Sequence, residues 1–199
     1  MELIGEFDLR QATKEMLRSR MDAQARLYEE LCVQEGAARI DLALMTDRLE
    51  GFEIKSDFDN CKRLPRQAEA YNSVFDTMSI ITGPCLAAEA SAMVPKWWGL
   101  AWAHRDADHM VTLRWLRKAK PNPARSAVRL AQLLWREEAS EELAKHAIKP
   151  ISKRATRAQL QTQLAEHMDA DGMRSAVIRF RRYRITALRM PSASMCSAS

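Results

Sequence analysis

No run of apolar residues approaches the roughly 20 that a bilayer-spanning helix needs, so no transmembrane segment is expected. The N-terminus, MELIGEFDLR, brings in acids early and lacks a basic stretch leading into an apolar one, so no export signal is expected either. Cysteine is sparse. Cys32, Cys61, Cys85 and Cys196 stand far apart with no C-x-x-C pair, which argues against a zinc site or a disulfide framework and for free thiols in a cytoplasmic chain. His104, His109, His146 and His167 are equally scattered and suit surface or packing positions better than a metal site. No internal repeat is visible.

What is present is an ordinary globular composition: 199 residues, 47% hydrophobic and 29% charged. That length supports one domain with a proper core plus a small helical appendage. The charge is unevenly placed. Residues 1–100 carry 12 basic against 17 acidic side chains, and residues 101–199 carry 19 against 9, consistent with the net +5. A basic back half suits contact with a polyanion, while the front half gathers carboxylates. Basic helices that merely keep the chain soluble would leave the same pattern.

Residues 8–34 have no proline or glycine and place Leu17, Met21, Leu27 and Leu31 at helical spacing, which predicts one or two helices ending before Gly36. ARIDLALMTDRLEGFEIKSD predicts an antiparallel hairpin, with strands near 38–45 and 49–56. A helix follows near 61–73, with Pro65 in its first turn. A buried strand then ends at Gly83, Pro84 opens a short helix, and a second hairpin turns at RDAD. This order predicts an α/β fold, a mixed sheet flanked by helices. After KPNP the chain turns to helix formers. Residues 126–147 read as one amphipathic helix with Ser126 as N-cap, Thr156 and Gln159 form a capping box, and DGMRSAVIRFRRYRITALR reads as a last, very basic helix. The expected organisation is a core over 1–119, a basic helical extension over 120–190, and a disordered tail over 191–199.

The chemistry concentrates in the first hairpin. Residues on a strand alternate faces, so Glu53 and Lys55 share one side. Asp41 lies 12 residues upstream, and a turn near 46–48 brings it roughly opposite Glu53. Two neighbouring carboxylates repel unless a cation joins them, and Mg²⁺ or Mn²⁺ suits such an oxygen pair. A nearby lysine then stabilises charge developing on a phosphate. A cross-strand ion pair on a solvated face is the competing reading; it accounts for Lys55, but less well for acids set among apolar residues.

Asp41, then Glu53-Ile54-Lys55, then Gln67-Ala68-Glu69-Ala70-Tyr71 on the next helix resemble the PD-(D/E)XK nuclease superfamily, and the Q-x-x-x-Y helix is similar to that of its RecB-like branches. More of the chain, from ARIDLAL through IITG, VPKWWGLAWA and NPARSAVRLAQLLWREE to the basic end, looks like a family of bacterial and phage proteins classed as nuclease-like. The resemblance implies a restriction-endonuclease-like core with a C-terminal helical extension. It implies Asp41 and Glu53 as ligands of Mg²⁺ or Mn²⁺, with the Ile54 carbonyl as a third. Lys55 would be the catalytic lysine, and Gln67 and Tyr71 would border the site. Glu30 is the chosen helix acid, with Glu29 and Glu35 as rivals. One departure stands out: the superfamily's usual first strand is not evident before the hairpin, and WWGLAWA is a candidate to replace it.

The expected function is a metal-dependent nuclease hydrolysing DNA phosphodiesters through a metal-activated water. The alternative is a catalytically weak or inactive nuclease-fold protein serving as a nucleic-acid- or protein-binding accessory factor. DNA is the expected partner, with no membrane, and homodimerisation is left open. Arg174, Arg179, Arg181, Arg182 and Arg184 are candidates to grip phosphates, with a solvated basic helix as the competing reading. Trp97, Trp98, Trp102 and Trp115 fit a core better than a base-stacking platform.

Overall fold

A computed structural model describes residues 2–189. Helix α1 (Glu6–Arg18) leads into a six-stranded mixed sheet of β1 (Arg26–Val33), β2 (Ala38–Met45), β3 (Leu49–Lys55), β4 (Thr77–Thr82), β5 (Gly99–Arg105) and β6 (Val111–Arg117). The strands lie in sequence order. β1, β2 and β3 form an antiparallel meander. β3, β4 and β5 are parallel, with crossovers through α2 (Leu64–Asn72) and α3 (Ala87–Met93), and β6 returns antiparallel. Parallel neighbours require such crossovers, whereas antiparallel ones need only tight turns. Four more helices follow: α4 (Ala127–Ala131), α5 (Arg136–Lys145), α6 (Arg157–His167) and α7 (Ala170–Arg189).

The sheet separates two apolar layers. α1 covers one face, where Leu9 and Leu17 pack with Leu42, Leu44, Phe52, Ile54 and Ile81. α2 and the C-terminal helices cover the other, where Ile40, Met45, Tyr71 and Trp98 share a core with Leu130, Leu143, Leu164 and Val177. The two strand periods explain this division, since Leu42 and Leu44 face α1 while Ala43 and Met45 face α2. Among the described residues no helix is long and apolar enough to cross a membrane.

Both hairpins, the α2 and α3 crossovers, the Ser126 cap and the Thr156–Gln159 capping box match expectation. Two helices do not. The run predicted over 8–34 is helical only to Arg18, and Arg26–Val33 is an edge strand. The Asp22 carboxylate accepts the backbone N–H groups of Gln24 and Ala25 (2.8 and 2.7 Å), a local turn that competes with continuing the helix. Leu31 and Val33 then bury at strand period. A strand, β1, thus precedes the first hairpin where none was expected, and WWGLAWA contributes to β5 on the far side of β4. The helix predicted over 126–147 is broken between Ala131 and Arg136, burying Leu133 and Leu134. Distant side chains satisfy the carbonyls freed there: Arg157 Nε (3.0 Å) and Gln161 Nε2 (2.8 Å) donate to Leu134, and Arg184 Nη2 (3.1 Å) donates to Leu133.

Trp98 is fully buried and donates its Nε1–H to Asn72 Oδ1 at 2.7 Å, while Trp97 and Trp115 pack partly buried against the two cores. Cys32, Cys61 and Cys85 are free thiols. The tail expected over 191–199, with Cys196, lies outside the described residues.

Candidate active site

The site forms where two strand ladders fail. Pairing of β1 with β2 skips from Glu29–Leu42 to Leu31–Ile40, leaving Glu30 and Asp41 unpaired. Glu30 has a left-handed backbone (φ 54°), a costly conformation for this residue that tilts it out of the strand. Pairing of β2 with β3 runs only as far as Leu42–Phe52; one residue further, Asp41 comes opposite Glu53. There Asp41 Oδ2 accepts the Ile54 backbone N–H at 2.7 Å, a carboxylate taking the place of a ladder carbonyl. The splayed strands open a cavity of about 620 Å³ lined by Asp41, Glu53, Ile54, Lys55, Gln67 and Glu30 among others.

Glu53 lines it and is only 1% exposed. Its Oε1 accepts from Lys55 Nζ and from Gln67 Nε2, each at 2.7 Å. Its Oε2 is buried and accepts no hydrogen bond among the described residues. Gln67 reaches Glu53 because Gln67 and Tyr71 share one face of α2, one turn apart. The Tyr71 hydroxyl lies 3.4 Å from Gln67 Nε2 and donates its own proton to the Arg39 carbonyl at 2.7 Å. Burial, then the Asp41 charge, raise the Glu53 pKa to about 7, against the pull of Lys55 and Tyr71. Burial also raises Asp41, opposed by the Ile54 N–H and Arg10. Burial and the nearby Glu53 push Tyr71 up as well.

All five residues expected to carry the chemistry (Asp41, Glu53, Lys55, Gln67 and Tyr71) are thus brought together. Glu30 is the only one of the three rival acids to line the cavity, and it does so from a strand rather than a helix. Glu29 is held by Lys14 at 2.6 Å, and Glu35 stands in the turn after β1.

One residue of the site was not anticipated. Arg10 of α1 sets Nη2 2.7 Å from Glu6 Oε1, 2.9 Å from Glu30 Oε1 and 3.1 Å from Asp41 Oδ1. Burial disfavours its charge, but Glu6, Asp41 and Glu30 outweigh this and raise its pKa. Nothing local in EFDLRQATKEM marks Arg10, because its partners lie on strands that only the fold brings near.

Two carboxylates, one with a buried unpartnered oxygen, fit a hard divalent cation that keeps several waters, as Mg²⁺ usually does. A third protein acid is not in place: among the described residues, no group of three or more His, Cys, Asp or Glu side chains is arranged to hold a metal ion.

From residue 2 to residue 190 the sequence matches the family model described as bacteriophage P4 protein cII. The chain belongs to this phage protein family. Over 94 residues, 47% of this chain, it is 36% identical to Protein cII of Enterobacteria phage P4 and spans 36% of that protein's length. No solved structure matches it.

Arg174, Arg179, Arg181, Arg182 and Arg184 of this family member are engaged by internal partners. Arg174 pairs with Asp76 and Asp171, both at 3.2 Å. Arg179 pairs with the buried Glu142, and Arg184 with Glu138. Arg181 donates to the Leu133 carbonyl (3.5 Å) and lies over the Tyr28 ring; burial lowers its pKa to about 10. Arg182 donates to Gln24 Oε1 (3.1 Å) and the Thr46 carbonyl (2.5 Å). These side chains bind α7 to the rest of the fold.

Proposed function

We propose that the chain is a metal-dependent nuclease acting on DNA phosphodiester bonds, with a restriction-endonuclease-like core formed by α1, the β1–β3 meander, α2 and β4. The single observation that carries this reading is the buried, unpartnered Glu53 Oε2 beside Asp41 and Lys55 in an open cavity. The finding that β1 precedes the hairpin supports it, since that strand was the missing part of the resemblance.

Asp41 and Glu53 would hold Mg²⁺ or Mn²⁺, which when bound supplies Lewis acidity and a more acidic water. Gln67 and Lys55 fix the Glu53 carboxylate through Oε1 and leave Oε2 directed to a ligand. The Ile54 N–H holds Asp41 through Oδ2 and leaves Oδ1 available once Arg10 withdraws. Lys55, almost fully buried, presents its positive charge where a scissile phosphate would gain negative charge.

Purified protein with Mn²⁺ is expected to nick or cut duplex DNA, and Glu53→Gln or Lys55→Ala to abolish this with the fold intact by circular dichroism. Undiminished cleavage by both variants refutes the mechanism. A second reading, a nuclease-fold protein that binds without cutting, is favoured by Arg10, which already places a cation among Glu6, Glu30 and Asp41. Salt-sensitive DNA binding with no Mn²⁺ heat in calorimetry would select that reading.

A further inference from the structure

We infer that the entry to α2, Lys62, Arg63 and Arg66, is the clamp for the phosphodiester backbone of DNA. The inference takes its choice of ligand from the proposed nuclease site, but binding is measured without cleavage.

Position is the first argument. Arg63 and Arg66 line the same cavity as Asp41, Glu53 and Lys55. The next residue on the helix, Gln67, is hydrogen-bonded to Glu53 at 2.7 Å, so the arginines at the mouth are fixed in register with the carboxylate inside. Arg63, the N-cap of α2 with helical backbone, and Arg66 are three residues apart, which keeps these two cations on one side of the first turn, and Lys62 immediately precedes them.

Availability is the second. Lys62, Arg63 and Arg66 are exposed, and among the described residues none has a side-chain hydrogen bond or ion pair. The other arginines near the cavity are engaged: Arg10 by three acids, and Arg39 by Glu30 at 2.6 Å. The α7 arginines are likewise held by internal partners. Of the acids nearby, Asp59 accepts from the Ser56 N–H and hydroxyl (2.8 and 2.7 Å), while Glu69 lies farther along α2.

Helix polarity is the third. The first turn of α2 has no acidic residue and no side-chain cap, so its partial positive charge adds to that of the cations rather than being neutralised. Contacts to phosphate carry no sequence information directly, so this clamp gives affinity without sequence preference.

The test is fluorescence anisotropy with a short labelled DNA duplex in EDTA, using the full chain between roughly 50 and 200 mM salt. Wild type is compared with Arg63→Ala/Arg66→Ala and with the charge-matched Lys149→Ala/Lys153→Ala, which removes two exposed cations from the α5–α6 link. Loss of two phosphate contacts should reduce the slope of log affinity against log salt by about 2 and weaken binding on the order of 50-fold near 0.1 M salt. The control should stay near wild type. Equal weakening in both variants would show diffuse charge attraction and overturn the clamp, as would wild type that does not bind DNA at the lowest salt. Binding that follows the expected pattern without Mn²⁺-dependent cleavage leaves the clamp standing and removes the nuclease.

Discussion

Glu53 offers the sharpest quantitative test. In the unfolded chain its carboxyl titrates near 4.5, and in the fold burial and Asp41 carry it to about 7. Between these values the native state holds a proton that the unfolded state has lost. Stability from this group is therefore fully present below the unfolded value and falls as pH rises through about 7. The difference corresponds to about 3 kcal/mol. Glu53→Gln keeps the shape and removes the titration, so urea denaturation at pH 5 and pH 8 should show wild type losing about 2.5 kcal/mol more than the variant. A cation that binds the ionised carboxylate reverses this loss. At about 100 times its dissociation constant, Mn²⁺ should return about 3 kcal/mol to wild type at pH 8 and much less to Glu53→Gln. Equal pH dependence in the two proteins would refute the burial argument. Absence of Mn²⁺ stabilisation in wild type would refute the cation site.

Two further substitutions probe the surroundings. Arg10→Met removes the guanidinium that occupies Asp41 Oδ1, and should tighten Mn²⁺ binding in calorimetry by about tenfold, or about 1.4 kcal/mol; unchanged affinity would mean that Arg10 does not compete. Arg184→Ala leaves the nearly buried Glu138 without its cation, leaves the Leu133 carbonyl only the long bond from Arg181 and removes the contact with the Trp135 ring, and should cost about 3 kcal/mol in urea denaturation. A loss below about 1 kcal/mol would assign Arg184 to the surface rather than to the joint between α5 and α7.

Where the sequence read well, local signals and tertiary demands agreed. Apolar residues dominate ARIDLALM and LEGFEIK, and the short turn between them suits an antiparallel hairpin, here buried on both faces. Ser126 and Thr156 cap helices through bonds to residues three positions on, so three or four residues suffice to read them. Where it read badly, the deciding partner was distant. RLYEELCV has helix-forming residues and apolar positions compatible with either period, and becomes a strand because β2 offers it a ladder. LAQLLWRE breaks because Arg157, Gln161 and Arg184 donate to its freed carbonyls. Three α7 arginines, Arg174, Arg179 and Arg184, pair with Asp76, Glu142 and Glu138, which lie from 37 to 98 residues away and so leave no local trace in the sequence.

The sequence by itself determined the hairpin that carries Asp41, Glu53 and Lys55, and the helical phase that puts Gln67 and Tyr71 on one face. Both depend on periods of two or four residues that the backbone enforces locally. Tertiary structure alone decided that Glu30 sits on a strand with a left-handed kink, that the two ladders part at Asp41, and that Arg10 enters between the acids. Each of these depends on a contact between elements distant in sequence, and the energy of burying a charge is set by what the fold places beside it.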